Sequence, residues 1–145
     1  MDISKGIYIK QNLLINWDTS FQDLLFICSA NNIVYQQEEL GLIKKISLSI
    51  KFANLDNAIA NIYFTNNIIN EVYITNFNNE KFSKEKYSET KNRLISFFGK
   101  PKIKTSSKEL WEFKRIKIEH FYINRDGIET EYLVIKNGFA KKLAN

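Results

Sequence analysis

Three features of the chain have residue types that could do chemistry. They are its one histidine, His120, its one cysteine, Cys28, and the triplet Glu112-Phe113-Lys114. Nucleophilic catalysis needs a base beside the nucleophile. Cys28 recurs with Phe21, Leu24 and Leu25 at i, i+3, i+4, i+7, the apolar stripe of a helix. That is the setting of an inert core thiol. His120 shares the even-numbered positions of a strand with Ile116, Ile118 and Tyr122, which predicts a partly buried ring held by a hydrogen bond. On that face a structural role is expected first; a functional one would be an interface contact as readily as a general base.

A Glu-x-Lys on a strand can hold Mg²⁺ and position water for phosphodiester cleavage. Such sites add an aspartate upstream, and residues 90–108 contain no acid. The same spelling recurs as "ETK" at 89–91 on a predicted helix, so the triplet is cheap in a lysine-rich chain. One Cys and one His are too few for a zinc site of usual composition. The close acid pairs are Glu38-Glu39 and Glu129/Glu131, the latter on one strand face. The five glycines (6, 41, 99, 127, 138) build no phosphate loop. The expectation is no catalytic residue, no metal and no cofactor.

The elements that carry these residues follow from periodicity. "GIYIKQNLLI" (6–15) reads as a first strand or short hairpin. A helix is predicted over 18–32, capped by Thr19 or Ser20. Ile46, Leu48, Ile50 and Phe52 alternate with polar residues and predict a strand over 44–52. Strands at 58–64 and 68–75 join across Thr65-Asn66-Asn67. The second helix, 83–101, has Ser83 as cap, Tyr87, Thr90 or Lys91, Leu94 and Phe98 as its inner stripe, and Gly99 and Pro101 as its stop. Three strands close the chain, around 109–114, 115–123 and 128–136. Apolar positions are odd at Trp111 and Phe113 but even at Ile116 and Ile118, which puts a bulge or tight turn at Lys114-Arg115. Asp126-Gly127 marks a hairpin tip. The expected fold is α+β: one domain over 1–145, with an antiparallel sheet of about six strands and two helices, in the order β-α-β-β-β-α-β-β-β. Residues 137–145 are expected to form a loose tail.

At 145 residues and 44% apolar content the chain can bury one real core. Its apolar runs, such as "LLFIC" (24–28), are far shorter than a membrane span. With no signal-peptide pattern and a single cysteine, a cytoplasmic protein is expected. The 21 Ile, 17 Asn and 18 Lys all have A/T-rich codons, so composition alone says little about the lysines. Charge is nevertheless uneven. Residues 1–75 carry five lysines against seven acids, and residues 76–145 carry 16 lysines and arginines against nine acids. A basic half implies an acidic partner. Three arginines are few for a phosphate reader and no RNP1-like string is present. A basic nucleic-acid-binding or adaptor domain is therefore the alternative, not the first expectation.

A helix ending "LISFFGKP" is followed by "LWEF" and then by "IKIEHFY" and "GIETEYLVIK". This succession, in a single α+β domain of this size, resembles the small immunity proteins of bacterial polymorphic toxins, including contact-dependent growth inhibition systems. The resemblance implies a protein that binds a cognate toxin domain and blocks its active or substrate-binding face, without a cofactor. A nuclease or other toxin with an acidic surface would suit the basic half. Candidate partner-binding residues are Lys114, Arg115, Lys117, His120 and Arg125, with Trp17 before the first helix. For each charged residue the plainer role is an ordinary surface charge. For Trp17 it is a packing staple over the helix start.

Overall fold

A computed structural model describes residues 2–77 and 81–140. Among them are two helices and ten strands: β1 (Gly6–Lys10), β2 (Leu13–Asn16), α1 (Phe21–Ala30), β3 (Tyr35–Leu40), β4 (Ile43–Ser49), β5 (Ile59–Thr65), β6 (Ile68–Thr75), α2 (Lys84–Phe98), β7 (Ile103–Lys104), β8 (Lys108–Phe113), β9 (Ile116–Arg125) and β10 (Ile128–Asn137). The α+β class and the two helices match expectation. The sheet does not: β1 and β2 pair apart as a hairpin, and eight strands form one antiparallel sheet in the order β3-β4-β5-β6-β10-β9-β8-β7. The expectation of about six strands missed β3 and β7 and counted the first hairpin as one strand. Strand β3, "YQQEEL", is an edge strand exposed from Gln36 to Leu40, so it buries no alternating face that a pattern could reveal.

Two four-strand meanders, β3–β6 and β7–β10, meet through their last strands, and each is preceded by a helix. The described chain thus has two successive α-β-β-β-β stretches whose strands meet at β6 and β10. Both helices pack on one face of the sheet. That face is the core. Ile46, Ile62, Val72, Ile135, Ile118 and Trp111 lie across from one another on successive strands, each at most 2% exposed. Phe21, Leu24 and Cys28 of α1 are buried in this core, with Phe21 edge-on to Phe64 of β5 at 5.5 Å. Tyr87, Thr90 and Leu94 of α2 are buried too, the stripe the sequence predicted.

The caps follow local chemistry. Ser20 accepts from the Asp23 N–H, and Ser83 from the Lys86 N–H. Gly99 ends α2 at φ +88°, and the Trp111 indole donates to its carbonyl at 2.8 Å. The β5–β6 turn sets Asn66 and Asn67 at φ +53° and +64°, the left-handed backbone that asparagine tolerates in a hairpin. The predicted strand over 44–52 stops at Ser49. Ile50 and Phe52 remain buried in a loop folded over the end of α2, where Phe52 lies 5.6 Å from Phe98 and Arg93 donates to Asn54 O. Residues 137–140, expected to begin a loose tail, are held. Asn137 is buried and donates to Ile69 O at 2.8 Å, and the Gly138 N–H donates to Arg115 O at 2.8 Å. The rest of the expected tail, 141–145, lies outside the described residues. No described helix is long and apolar enough to cross a membrane.

Candidate functional site: an open sheet face over a buried carboxylate–histidine cluster

The sequence candidates separate into three groups. Lys114 and Arg115 form the tight β8–β9 turn, where Phe113 faces Ile116 and Lys114 adopts φ +57°. Both are exposed, and the Arg115 guanidinium lies 5.9 Å from the Phe139 ring centre. The register change in the sequence is therefore this turn, not a bulge. Lys117 follows on the sheet face away from the helices, between Glu112 on β8 and Lys136 on β10. Arg115, Lys117 and Lys136 line a shallow cleft of about 230 Å³ with Glu71 on its wall. Lys136 had no sequence signal of its own; pairing with Lys117 is what brings it there. Arg125 is exposed at the far end of β9, about 26 Å from Lys117 at the strand rise of ~3.3 Å per residue.

Trp17 and His120 belong elsewhere. Trp17 is 5% exposed, and its indole donates to Ile3 O at 2.7 Å. The ring packs in the core, so a packing role fits it and a surface anchor does not. His120 is fully buried on the core face.

Alternation along β4–β10 puts a second set of side chains on the face opposite the helices. Among the described residues no helix lies over it. Tyr63 and Tyr73 meet edge-on at 5.6 Å, and Phe121 stacks on Tyr132 at 5.2 Å. Lys45 and Lys108 approach the Tyr63 and Phe121 ring centres at 5.9 and 5.8 Å, within cation–π range. The aromatics are half-buried, so their rings are held by neighbours and still offer area. Acids are interleaved: Glu119 takes Lys136 at 3.3 Å and Lys108 at 3.8 Å. Glu112 takes Lys102 at 2.9 Å, and that contact holds its carboxyl below the usual range. Glu112 of the Glu-x-Lys triplet is thus tied to Lys102, not to Lys114.

Directly beneath this face lies a buried cluster. His120 faces Glu109 across β8–β9, and Glu131 sits diagonally from it on β10. The His120 Nδ1 is 2.7 Å from Glu109 Oε1, and its Nε2 is 2.5 Å from Glu131 Oε2. Glu109 and His120 are wholly buried, and the Glu131 side chain is 8% exposed. The Tyr87 ring of α2 stacks on the imidazole at 4.1 Å and 11°. Its hydroxyl donates to Glu109 Oε2 at 2.9 Å and lies 3.1 Å from His120 O. Burial works against the charged imidazole, but hydrogen bonds to Glu109 and then Glu131 outweigh it, so the His120 pKa is raised. Burial, then the bond to Glu109, pushes the Tyr87 phenol far up, so it stays protonated.

Both ring nitrogens are occupied by carboxylates, so neither is turned toward a cavity as a base would be. Glu131 also lines an open cleft of about 240 Å³ with Phe82 and Glu129. The sequence pointed to His120 and to the Glu129/Glu131 pair but not to Glu109. The signal was available: Glu109 shares the odd-numbered face of Trp111 and Phe113, and a carboxylate on a core face needs a partner.

No protein-family model matches the chain, and no curated protein matches it.

Proposed function

We propose that the chain is a non-catalytic protein-binding module, an immunity protein that binds a cognate toxin domain and covers its active or substrate-binding face. The observation that supports this reading is the open sheet face. It presents pre-formed aromatic pairs, Tyr63–Tyr73 and Phe121–Tyr132, among cations. Held tyrosines offer large contact area at low entropy cost, and such residues dominate interface energetics. The cationic corner of Arg115, Lys117 and Lys136 adjoins that face and favours a partner with acidic groups. Lys114 is beside it in the β8–β9 turn.

Aromatics among lysines also occur on single-strand nucleic-acid binders. Here the rings are engaged with one another, and Glu71, Glu112 and Glu119 share the face. Those acids oppose phosphate, which favours a protein partner. The test is to ask whether the gene lies directly downstream of one for a large secreted protein and, where it does, to co-express the chain with that protein's C-terminal domain. The expected outcome is cell survival and a complex that co-purifies. Cell death with no complex would defeat the reading for that pair. Filter binding that falls steeply with salt would instead support nucleic acid.

A further inference from the structure

We infer that Glu109, His120 and Glu131 form a buried imidazolium clamp that ties β8, β9 and β10 together and releases them when the ring loses its proton. The geometry carries the inference. Two ring nitrogens each meet a carboxylate oxygen, at 2.7 and 2.5 Å. Each contact requires a proton between nitrogen and oxygen. A neutral imidazole has one N–H, so one of the two contacts would set a lone pair against a carboxylate. With Glu109 and His120 wholly buried and the Glu131 side chain only 8% exposed, little solvent reaches that repulsion.

The groups facing the ring come from every packed element. Glu109 from β8, Glu131 from β10 and Tyr87 from α2 meet the ring itself, Tyr122 of β9 lies edge-on to Tyr87 at 4.9 Å, and Glu129 and Lys86 are the next titratable groups along β10 and α2. Tyr87 donates to Glu109, so it cannot supply the missing proton to the ring. The clamp lies back to back with the docking face: His120 precedes Phe121, and Glu131 precedes Tyr132, the pair stacked on the outer side. Proton loss therefore loosens the strands that present that pair. The clamp itself does not depend on what the face binds.

The sign follows from the raised pKa of the folded ring. The stabilisation is fully present below the ordinary histidine pKa and is lost as pH rises through the folded value. Because the chain has one histidine, its ring signals in ¹⁵N-labelled full-length protein are unambiguous. At neutral pH the ring should show two protected N–H groups and titrate above an ordinary histidine. Glu131→Gln should move that midpoint to lower pH while the protein stays folded. A ring with a single N–H at neutral pH, or a midpoint unmoved in E131Q, overturns the inference. Should E131Q fail to fold, the wild-type midpoint alone decides, and a value at or below the ordinary one refutes the clamp.

Discussion

Replacing Tyr87 with phenylalanine removes one oxygen and little else. The ring is 2% exposed, and its stack on His120 at 4.1 Å does not depend on the hydroxyl. What is lost is the donor to Glu109 Oε2, on a side chain with no solvent contact. A hydrogen bond to a charged group contributes roughly 1.5–3 kcal/mol, and leaving a buried acceptor unpaired costs a similar amount. We therefore expect Tyr87→Phe to destabilise by about 2 kcal/mol. For a domain of this size that is a melting shift of roughly 4–8 °C at ~2–4 °C per kcal/mol. In urea, with m near ~2 kcal/mol/M, the midpoint should fall by about 1 M. Both tryptophans are buried, so their fluorescence reports the transition. A change below about 0.5 kcal/mol, within the range of an ordinary surface substitution, would show that the hydroxyl does not hold the cluster and would undercut the reasoning.

Three further outcomes are expected. Cys28 is wholly buried and burial raises its thiol pKa, so a thiol reagent should label it only at the rate of unfolding; rapid labelling of the native protein would contradict its core position. Lys114 sits at φ +57°, so Lys114→Gly should stabilise the β8–β9 turn by about 0.5–1 kcal/mol, and an unchanged or lower melt would deny the strain. A Cβ at Gly138 would lie 2.3 Å from Arg115 O, so Gly138→Ala should cost about 1–3 kcal/mol in a urea melt; no loss would mean the 115–138 contact is not made.

Much of this fold was legible because most elements are amphipathic. The stripe Tyr87, Thr90, Leu94 and the alternation at Ile46 and Leu48 identify their elements with their inward faces. Asparagines at φ +53° and +64° and Asp126 at +53° mark hairpins because few other residues accept that backbone. Strand β3 was not legible, since it is held by backbone bonds to β4 and buries almost nothing. The pairing of β6 with β10 was not legible either. It joins strands far apart in sequence, with no local signal for which strands meet. The site inherits that gap. His120 was noticed as a residue type, but Glu109 and Glu131 reach it only through cross-strand register. Likewise the open face is a property of which side the helices chose, which alternation alone leaves undetermined.

On the proposed function, the open sheet face binds a partner protein. The direct test is calorimetric titration of the full chain with a candidate toxin domain taken from a secreted protein encoded next to it, using wild type, Tyr73→Ala and Tyr132→Ala, each checked for folding by circular dichroism. Both tyrosines are half-buried on the outer face, so truncation removes contact area while the core face stays intact. The expected outcome is a wild-type complex and at least one variant weakened roughly 30-fold, the scale of a ~2 kcal/mol interface anchor. Wild-type affinity in both folded variants would contradict it.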